Sequence, residues 1–416
     1  MIMFGHHLVK FMFCRAPFLA LIFVCQFSSL ANGQVFIDTV FVGNPGNAAK
    51  EVSEATGLVD SRFFKSGNFG AVDYVYRIGT TEVTNAQYTT FLNAVAGTNR
   101  YNLYVQNMED DPRGGIIRRG ENGSYTFSTK PLMADKPVVF VTYWSTLRFA
   151  NWMHNGMPSG APDLNRTATE SGAYALLGRN VPQLFGRVLE REPDAQWFIP
   201  SEDEWFKAAY HKNDGATGNY YDFPTATNEI PGVATADEFG NISNPGRNIV
   251  NYANGADWNG LDGNLTTVGS AGAASASAYG TLDQAGNADE WTDTNIGFDR
   301  SGVGPGNTPI PIVRGGTFFQ PEDAHIIGLI NGSRDVGGPN GTVDHVGFRV
   351  ATITVPFLLG DCNRSGQVDF LDISPFVSIL ATDEYLPEAD INLDNTVGFL
   401  DIQPFILLLS SNQPGS

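Results

Sequence analysis

Cysteine is scarce in this sequence, with 3 residues, Cys14, Cys25 and Cys362, among 416. The first two lie in an N-terminal segment in which basic residues precede the apolar run APFLALIFVC and the small residues LANG, a pattern typical of an export signal. We expect cleavage before Gln34, so that residues 1–33 are a signal peptide and the protein is secreted or displayed at the cell surface. A retained anchor is the alternative, although the run is short for a membrane span. The mature chain would keep Cys362 alone, which excludes an intramolecular disulfide and leaves its loops to be held by something else.

Positive charge is also sparse, because 25 Lys and Arg residues face 44 Asp and Glu residues and the formal net charge is −19. Such a chain repels phosphate backbones and anionic headgroups, which excludes nucleic acid and membrane surfaces as partners. Charged residues are only 17% of the chain, whereas Gly and Pro number 46 and 23, which indicates a loop-rich globular protein rather than a helical bundle or a disordered chain. The acidity fits an exported, cation-binding protein, and equally well a protein that is kept soluble by its charge.

An internal repeat occupies the C-terminal part of the sequence. Residues 361–380 read DCNRSGQVDFLDISPFVSIL and residues 390–409, 29 positions later, read DINLDNTVGFLDIQPFILLL. Both segments carry oxygen ligands at the spacing of an EF-hand calcium loop followed by a helix. The first loop offers Asp361, Asn363, Ser365, the Gln367 carbonyl, Asp369 and Asp372, and the second offers Asp390, Asn392, Asp394, the Thr396 carbonyl and Asp401. We expect two calcium ions here; the alternative is a repeat that has lost its metal.

A loop–helix unit of this kind, duplicated and with Asp at the twelfth loop position, resembles the dockerin type I module. The resemblance covers residues 358–410 and implies a small all-α domain that binds a cohesin-like protein partner. Dockerins contact cohesins near loop positions 10 and 11, often through Ser or Thr. This chain has Phe370-Leu371 and Phe399-Leu400 there, a departure that bears on the choice of partner and not on calcium binding.

The larger, preceding part of the chain mixes short strands with a few helices. The starts of three helices are predicted at Thr84, at Trp144 and, through a capping-box pair, at Ser201-Glu204. The second of these would follow a strand at residues 138–142. Residues 214–285 show almost no periodicity, and a long irregular stretch in a compact domain is usually functional or held by ions.

Six segments of this larger part occur in an order that resembles the formylglycine-generating, or sulfatase-modifying factor, family. They read YRIGTTEVTNAQYTTFLNAV, PVVFVTYWSTLRFANWM, FIPSEDEWFKAAY, AYGTLDQAGNADEWTD, VRGGTFF and HVGFRVA. The match spans Val72 to Ala351. It implies that residues 34–355 form an α+β domain with a C-type-lectin-like fold and little regular secondary structure.

The resemblance also implies calcium in this domain. GNADEW corresponds to one calcium site of the family, with side-chain oxygens from Asn287 and Glu290. NYANGADWNGLDGN corresponds to another, with Asn251, the Tyr252 carbonyl, Asp262 and the Asn264 carbonyl as ligands, although its spacing is shorter than usual in the family. A turn whose Trp291 fills the core is the alternative for GNADEW. We therefore expect one or two calcium ions in the large domain.

Active members of the family bind copper and oxidise a substrate cysteine through two cysteines that follow an R-G-G-S step. Here the step is Arg314-Gly315-Gly316-Thr317, and the two cysteine positions hold Gln320 and His325. Copper(I) selects thiolates, so copper is not expected, and the chain should not make formylglycine.

The predicted function is that of an exported calcium-binding protein whose non-catalytic domain binds a glycan or protein ligand and whose dockerin-like module tethers it to a partner. The family's substrate groove would be lined by side chains suited to such recognition, namely Trp291, Phe318, Phe319, Gln320, His325 and Arg334. The alternative is an enzyme, either an uncharacterised metal-dependent oxidase or an accessory component of a polysaccharide-degrading complex. By association, the export signal and the dockerin-like module indicate a bacterial source.

Overall fold

The structure is a computed structural model that describes residues 35–52, 67–159, 168–176, 189–298, 309–319, 329–331, 333–353, 359–363, 368–382, 386, 388–392 and 396–411. The predicted signal peptide lies outside these ranges, as do Gln320, His325, Ser365, Gln367 and Asp394. Among the described residues, no helix combines the length and the apolar character needed to cross a bilayer.

Short strands and a few helices are joined by long irregular segments. The described helices are α1 (Asn85–Val95), α2 (Asn107–Asp110), α3 (Tyr143–His154), α4 (Glu202–Tyr210), α5 (Ile373–Leu380) and α6 (Phe399–Ser411). The described strands are β1 (Thr39–Val42), β2 (Lys50–Val52), β3 (Gly67–Phe69), β4 (Tyr76–Gly79), β5 (Ile116–Arg119), β6 (Thr126–Thr129), β7 (Trp197–Phe198), β8 (Gly232–Val233), β9 (Ile249–Val250), β10 (Asp289–Phe298), β11 (Pro309–Arg314), β12 (Asp335–Val336), β13 (Val346–Gly347) and β14 (Ala351–Thr352). Residues 214–285 contain only the short pair β8 and β9, one 3-10 turn and isolated bridges, as the lack of periodicity predicted.

Two four-stranded sheets organise the large domain. The first has the order β1-β4-β14-β7, and its neighbouring strands are antiparallel. The second has the order β12-β11-β10-β13, in which β10 runs antiparallel to β11 and parallel to β13. Because β13 and β14 come last in the domain yet pair with earlier strands, the end of the domain completes both sheets. The predicted mixture of helices and strands is confirmed.

Local hydrogen bonds explain where the three predicted helices begin. The Thr84 side chain accepts a hydrogen bond from the Gln87 amide, and the Gln87 side chain accepts one from the Thr84 amide. Ser201 and Glu204 form the same reciprocal capping box at the start of α4. The Thr142 side chain caps the first turn of α3. All three helices are therefore confirmed, and the reason is local.

The strand predicted at residues 138–142 is wrong. Phe140 has a φ of 61°, which interrupts an extended backbone. The amides of Val138 and Phe140 donate to different segments, the first to Val83 and the second to Val343, both at 2.9 Å. The run is buried, so its apolar composition reflects burial in the core and not pairing within a sheet.

Aromatic rings fill the main core between α1, α3 and the segment after β13. The Phe149 ring lies 5.3 Å from both Phe91 and Phe348, 5.8 Å from Trp152 and 6.0 Å from Tyr88, measured between centroids. Such pairs contribute about 0.5–1.5 kcal/mol each beyond the area they bury. This cluster fixes α1 and α3 against the strands that carry the candidate site.

The C-terminal repeats have a hydrophobic core of their own. Phe376 of α5 and Phe405 of α6 stack with their ring centroids 4.0 Å apart. They occupy equivalent positions in the two repeats, so the duplicated sequence packs its two helices through the same residue. Cys362 is buried in this cluster.

We expect Phe405→Ala to open the C-terminal core. The ring is 3% exposed, whereas the next residue, Ile406, is 58% exposed, so deletion of the ring leaves a cavity and costs about 3 kcal/mol. The measurement is the rate at which Cys362 reacts with a thiol reagent in a chain that begins at Gln34, where it is the single cysteine. The rate should rise roughly a hundredfold.

Ile406→Ala is the matched control, because it shortens an exposed side chain of the same helix and should change the rate little. Equal rates in the two variants would contradict the packing described here.

Candidate functional site

The Arg-Gly-Gly step ends β11 and turns the chain toward the two phenylalanines. Gly315 and Gly316 have φ values of 113° and 75°, which other residues adopt only with strain. Arg314 is buried and donates to the Glu202 carboxylate at 2.8 Å and to the Ser333 carbonyl. The arginine therefore anchors the turn from below, and the chain stays buried through Phe318 before it reaches the surface at Phe319.

The two phenylalanines after the turn have different environments. Phe318 is buried, and the Arg113 guanidinium lies 4.7 Å above its ring. Phe319 is 38% exposed, and its ring meets Phe318 edge-on at 5.2 Å and His345 at 4.9 Å. Phe318 thus belongs to the core, and Phe319 presents an aromatic surface next to an imidazole.

Charged groups border this aromatic surface. The Arg113 guanidinium lies 3.5 Å from the Asp344 carboxylate and donates to the Gly263 carbonyl at 2.9 Å. Asp344 also lies 2.9 Å from Nδ1 of His345. The hydrogen bond from His345 lowers the pKa of Asp344. All three side chains are partly exposed, so a ligand can reach them.

Asp289 stands below these groups at the start of β10. Its Oδ1 accepts a hydrogen bond from the Gly316 amide at 2.7 Å, and its own amide donates to the His345 carbonyl at 2.8 Å. Burial raises the pKa of Asp289 to about 7, while the charge of His345 acts in the opposite direction. This carboxyl therefore changes its charge near neutral pH, directly beneath the turn.

The other predicted groove residues point elsewhere or are not described. The Trp291 indole is buried and donates to a backbone carbonyl. Arg334 is mostly covered and paired with Glu202 at 2.7 Å. Among the predicted groove residues that the structure describes, Phe319 is the exposed one, and Gln320 and His325 lie outside the described ranges.

Arg113, Asp289 and Asp344 were not singled out from the sequence. Arg113 comes from the turn between α2 and β5 and Asp344 from the segment before β13, so only the tertiary structure brings the two together. Asp289 lies inside GNADEW, the motif in which Asn287 and Glu290 are the predicted calcium ligands. No local sequence signal marks any of the three.

The predicted asparagine ligands of the large domain lie together in its interior. Asn251 Nδ2 donates to the Asn264 carbonyl at 2.8 Å and to Asn287 Oδ1 at 3.1 Å. Oδ1 of Asn251 is buried and has no hydrogen-bond partner among the described residues. Tyr252 is also buried, whereas Asp262 lies nearer the surface, where its carbonyl accepts from Arg113 at 3.4 Å.

Buried carboxylates outnumber buried cations next to this asparagine cluster. Both oxygens of Glu290 accept from Arg349 at 2.6 Å. Glu82 is also buried; its Oε1 accepts from Asn287 and its Oε2 has no described partner. Burial, together with Asp283 and Glu290, raises the pKa of Glu82, and burial raises that of Asp283 to about 6.

Unpartnered oxygens beside an excess of negative charge are what a hard cation binds. Glu82 and Asn251 supply such oxygens, so the donor set of this interior fits calcium. Glu82 and Asp283 were not found from the sequence, because nothing in their local pattern indicates burial. No three histidine, cysteine or carboxylate side chains converge as a ready-made metal group in the described part of the chain; calcium draws also on amide and backbone oxygens, which such a group does not include.

The twelfth-position aspartates close the two C-terminal loops in the same way. Asp372 accepts from the amides of Asn363 and Asp369, both at 2.9 Å. Asp401 accepts from the amides of Asn392 and Gly398 at 3.0 and 2.8 Å. The described ends of the two loops therefore carry equivalent hydrogen bonds at equivalent positions of the repeat.

Four loop aspartates are buried, namely Asp361, Asp372, Asp390 and Asp401. No lysine or arginine forms an ion pair with Asp372 or Asp401 among the residues described. Buried carboxylates without a cationic side chain fit a bound calcium ion. Of the remaining predicted ligands, Asp369 caps the following 3-10 turn by accepting from the Leu371 amide at 2.7 Å, and Asn363, Asn392 and Thr396 are exposed.

This chain matches one protein family and is similar to several solved structures. The family described as "Sulfatase-modifying factor enzyme 1-like domain" matches residues 71–353. Similar solved structures include CarF, variable protein 1 of Treponema denticola and PvdO from Pseudomonas aeruginosa, each at 17% identity over 77% of this chain. They are covered over 99%, 96% and 98% of their own lengths, with TM-scores of 0.41, 0.41 and 0.40. No curated protein matches.

We expect the stability of Asp289→Asn, relative to the parent protein, to rise with pH between about 4 and 7. The folded-state pKa of about 7 lies above the unfolded value of about 4. The proton held in the folded state therefore stabilises it at low pH, and this contribution is lost as the pH rises through 7. With allowance for solvent, the loss is on the order of 2 kcal/mol. Melting temperatures across this range measure it.

Asp344→Asn is the control, because its stability relative to the parent protein should fall rather than rise with pH. The pKa of Asp344 is lowered in the folded protein, so its ionised form stabilises the fold above the unfolded pKa and the variant should lose stability there. Parallel pH profiles for the two variants would contradict the environments assigned to these groups.

Proposed function

The chain belongs to the family of sulfatase-modifying factor enzyme 1-like domains, and on that premise we propose that it is a binding protein and not a formylglycine-forming oxidase. In this proposal the protein is exported and binds calcium. It holds a glycan or protein ligand beside the Arg-Gly-Gly turn, and its dockerin-like C-terminal repeats tether it to a partner protein.

One observation carries the proposal: the surface beside the turn offers binding groups, and a chain that begins at Gln34 has no pair of thiols to place there. The two cysteine positions of the family hold Gln320 and His325. The one cysteine of the mature chain, Cys362, is buried in the core of the C-terminal repeats. Burial raises the pKa of its thiol to about 12, so the thiolate that copper chemistry needs is not formed.

The groups at the surface suit recognition. Phe319 and His345 form an edge-to-face pair that offers an apolar face to a sugar ring or a peptide side chain. Arg113 and Asp344 beside them supply a fixed donor and a fixed acceptor. Aromatic and arginine side chains in such a setting are typical of binding hot spots.

Calcium would hold the loops that no disulfide can hold. In the C-terminal repeats the buried Asp361, Asp372, Asp390 and Asp401 would bind it, with the other predicted loop oxygens. In the large domain the unpartnered oxygens of Glu82 and Asn251, near Asn287, support a site. The ion would supply the positive charge that Asp372 and Asp401 do not receive from a lysine or arginine among the described residues.

The apolar pairs of the two repeats support the tether. Phe370 and Leu371 are 65% and 71% exposed, and Phe399 and Leu400 are 90% and 73% exposed. Large exposed apolar groups that cluster on a soluble protein mark interaction surfaces. Each pair stands at loop positions 10 and 11, so each repeat presents the same surface, and we propose a partner with an apolar contact face.

One observation favours the alternative of an enzyme. Asp289, with a pKa of about 7, lies beneath His345, and groups that titrate near neutral pH serve as general acids and bases. Product formation from a captured ligand, lost in Asp289→Asn and in His325→Ala, would support this alternative. Capture of the ligand without turnover would support the binder.

The binding site is tested by replacing Phe319. A chain that begins at Gln34 is applied to a glycan array and to native extracellular medium, and bound material is measured. We expect Phe319→Ala to weaken capture about tenfold or more, because it removes the exposed aromatic anchor. Phe239→Ala removes a ring that is also exposed but lies elsewhere, and should leave capture unchanged. Equal loss in both variants, or in neither, would refute a site beside the turn.

Calcium binding is tested with Asp372→Asn and Asp401→Asn. At a hundredfold excess over its dissociation constant, calcium should slow the reaction of Cys362 with a thiol reagent about a hundredfold, because the ion binds the folded repeats. Each substitution should remove most of this protection. Glu238→Gln, which changes an exposed carboxylate of the large domain, is the control. A reaction rate that does not respond to calcium in the parent protein would refute the site.

A further inference from the structure

A cleft that shares no lining residue with the surface beside the Arg-Gly-Gly turn lies between the start of α4 and the middle of β10. Its volume is about 390 Å³. The residues that line it include Tyr74, Glu190, Arg191, Ser201, Asp293 and Thr294. They come from separate parts of the chain, and none belongs to the candidate site described above.

Arg191, the one arginine among the described residues that line this cleft, is already paired with two carboxylates. Arg191 Nη1 and Nη2 donate to Glu204 at 2.8 and 2.7 Å, and Nε and Nη2 donate to Oδ2 of Asp293 at 2.9 and 2.8 Å. The guanidinium also lies 3.7 Å above the Phe198 ring. Its donors are therefore largely used within the protein, and it has little to offer an anionic ligand.

Among the described residues at the cleft, carboxylates outnumber cationic side chains. Glu190, Glu204 and Asp293 face Arg191, the one cationic side chain among the described residues that line the cleft. The pKa of Asp293 is raised by its burial and by Glu204, although Arg191 acts against this. A further positive charge would stabilise the ionised form of Asp293.

At this cleft, carboxylate oxygens are available to accept hydrogen bonds from a ligand, whereas the donors of Arg191 are already used within the protein. Oδ2 of Asp293 accepts from Arg191 and from the Tyr174 hydroxyl, while Oδ1 accepts no hydrogen bond from the described residues and the side chain is 12% exposed. Glu190 is exposed. Tyr74 is 42% exposed, and its hydroxyl donates to Glu204 at 2.6 Å, which holds the ring at the cleft.

We propose that this cleft binds an organic cation, a primary ammonium or a guanidinium group. Asp293 and Glu190 accept its N–H donors, and the ring of Tyr74 contacts the charge. An anion is disfavoured because Glu202, Asp203 and Glu204 already occupy the first turn of α4, where an anion would otherwise bind. A neutral sugar would fit the volume but would not neutralise the negative charge of the carboxylates.

Two sources present this chemistry: a free amine and a lysine or arginine side chain of a peptide. The site is independent of the proposed ligand site beside the Arg-Gly-Gly turn and does not require the predicted tether. Its failure would leave that proposed function untouched.

The experiment is calorimetric titration of a chain that begins at Gln34 with matched probes. N-acetylarginine amide is compared with N-acetylcitrulline amide, which has the same shape without the charge, and with glucose. We expect the arginine probe to bind at least about tenfold more tightly than the citrulline probe and to weaken as salt is added. Equal affinity of the two probes, or tighter binding of glucose, would overturn the proposal.

Substitutions place the binding in the cleft. Asp293→Asn should weaken the arginine probe about tenfold. Glu190→Gln, at an exposed position that folding tolerates, should weaken it about threefold. Glu121→Gln changes an exposed carboxylate elsewhere and should have no effect. If Asp293→Asn does not fold, the test rests on Glu190→Gln. If Glu190→Gln then binds the arginine probe as tightly as Glu121→Gln does, the assignment is overturned.

A capped peptide with a central arginine, compared with its citrulline counterpart, identifies the source of the cation. Tighter binding of the arginine peptide than of the free probe indicates a polypeptide partner. Equal binding indicates a small amine. Both results support the cation site, and loss of the arginine preference in the peptide overturns it.

Discussion

Arg349 is buried without solvent contact, and its guanidinium joins parts of the large domain that are far apart in the chain. It donates to the Gly79 carbonyl at the end of β4, to the Leu282 carbonyl in the irregular region and to both oxygens of Glu290 in β10. A buried charge is tolerated only when it is fully paired. Arg349 therefore holds the two sheets and the irregular region together at one point. The Arg-Gly-Gly turn lies next to this point, because Arg314 in β11 pairs with Glu290 in β10.

The same constraint explains how a domain with so little regular structure keeps a defined surface. Residues 214–285 contain hardly any sheet or helix, so their backbone groups and side chains bond to one another and to the strands. Asn251, Asn264 and Asn287 form part of this interior network. A polar interior is stable only if its members are satisfied. The oxygens of Glu82 and Asn251 that have no hydrogen-bond partner among the described residues are the places where the proposed calcium ion would bind.

The described residues present three surfaces with different chemistry. The turn after β11 presents an aromatic ring beside an imidazole and an ion pair. The cleft beside α4 presents carboxylates together with Arg191, which is already paired. The C-terminal repeats present apolar pairs above acidic loops. In the proposed function, these surfaces hold different partners of one binding protein.

The sequence by itself determined the features that depend on neighbours in the chain. Thr84 and Ser201 cap their helices through residues three positions away, and Asp372 and Asp401 accept equivalent hydrogen bonds in the two repeats, because all of these interactions are local. The order of the six motifs was enough to identify the family. Tertiary structure decided what depends on distant partners: the apolar run at 138–142 became a buried loop, Trp291 and Phe318 went into the core, and Arg113 came to lie beside Asp344. Burial and charge pairing are set by segments that are far apart in sequence, and no local pattern encodes which of them will meet.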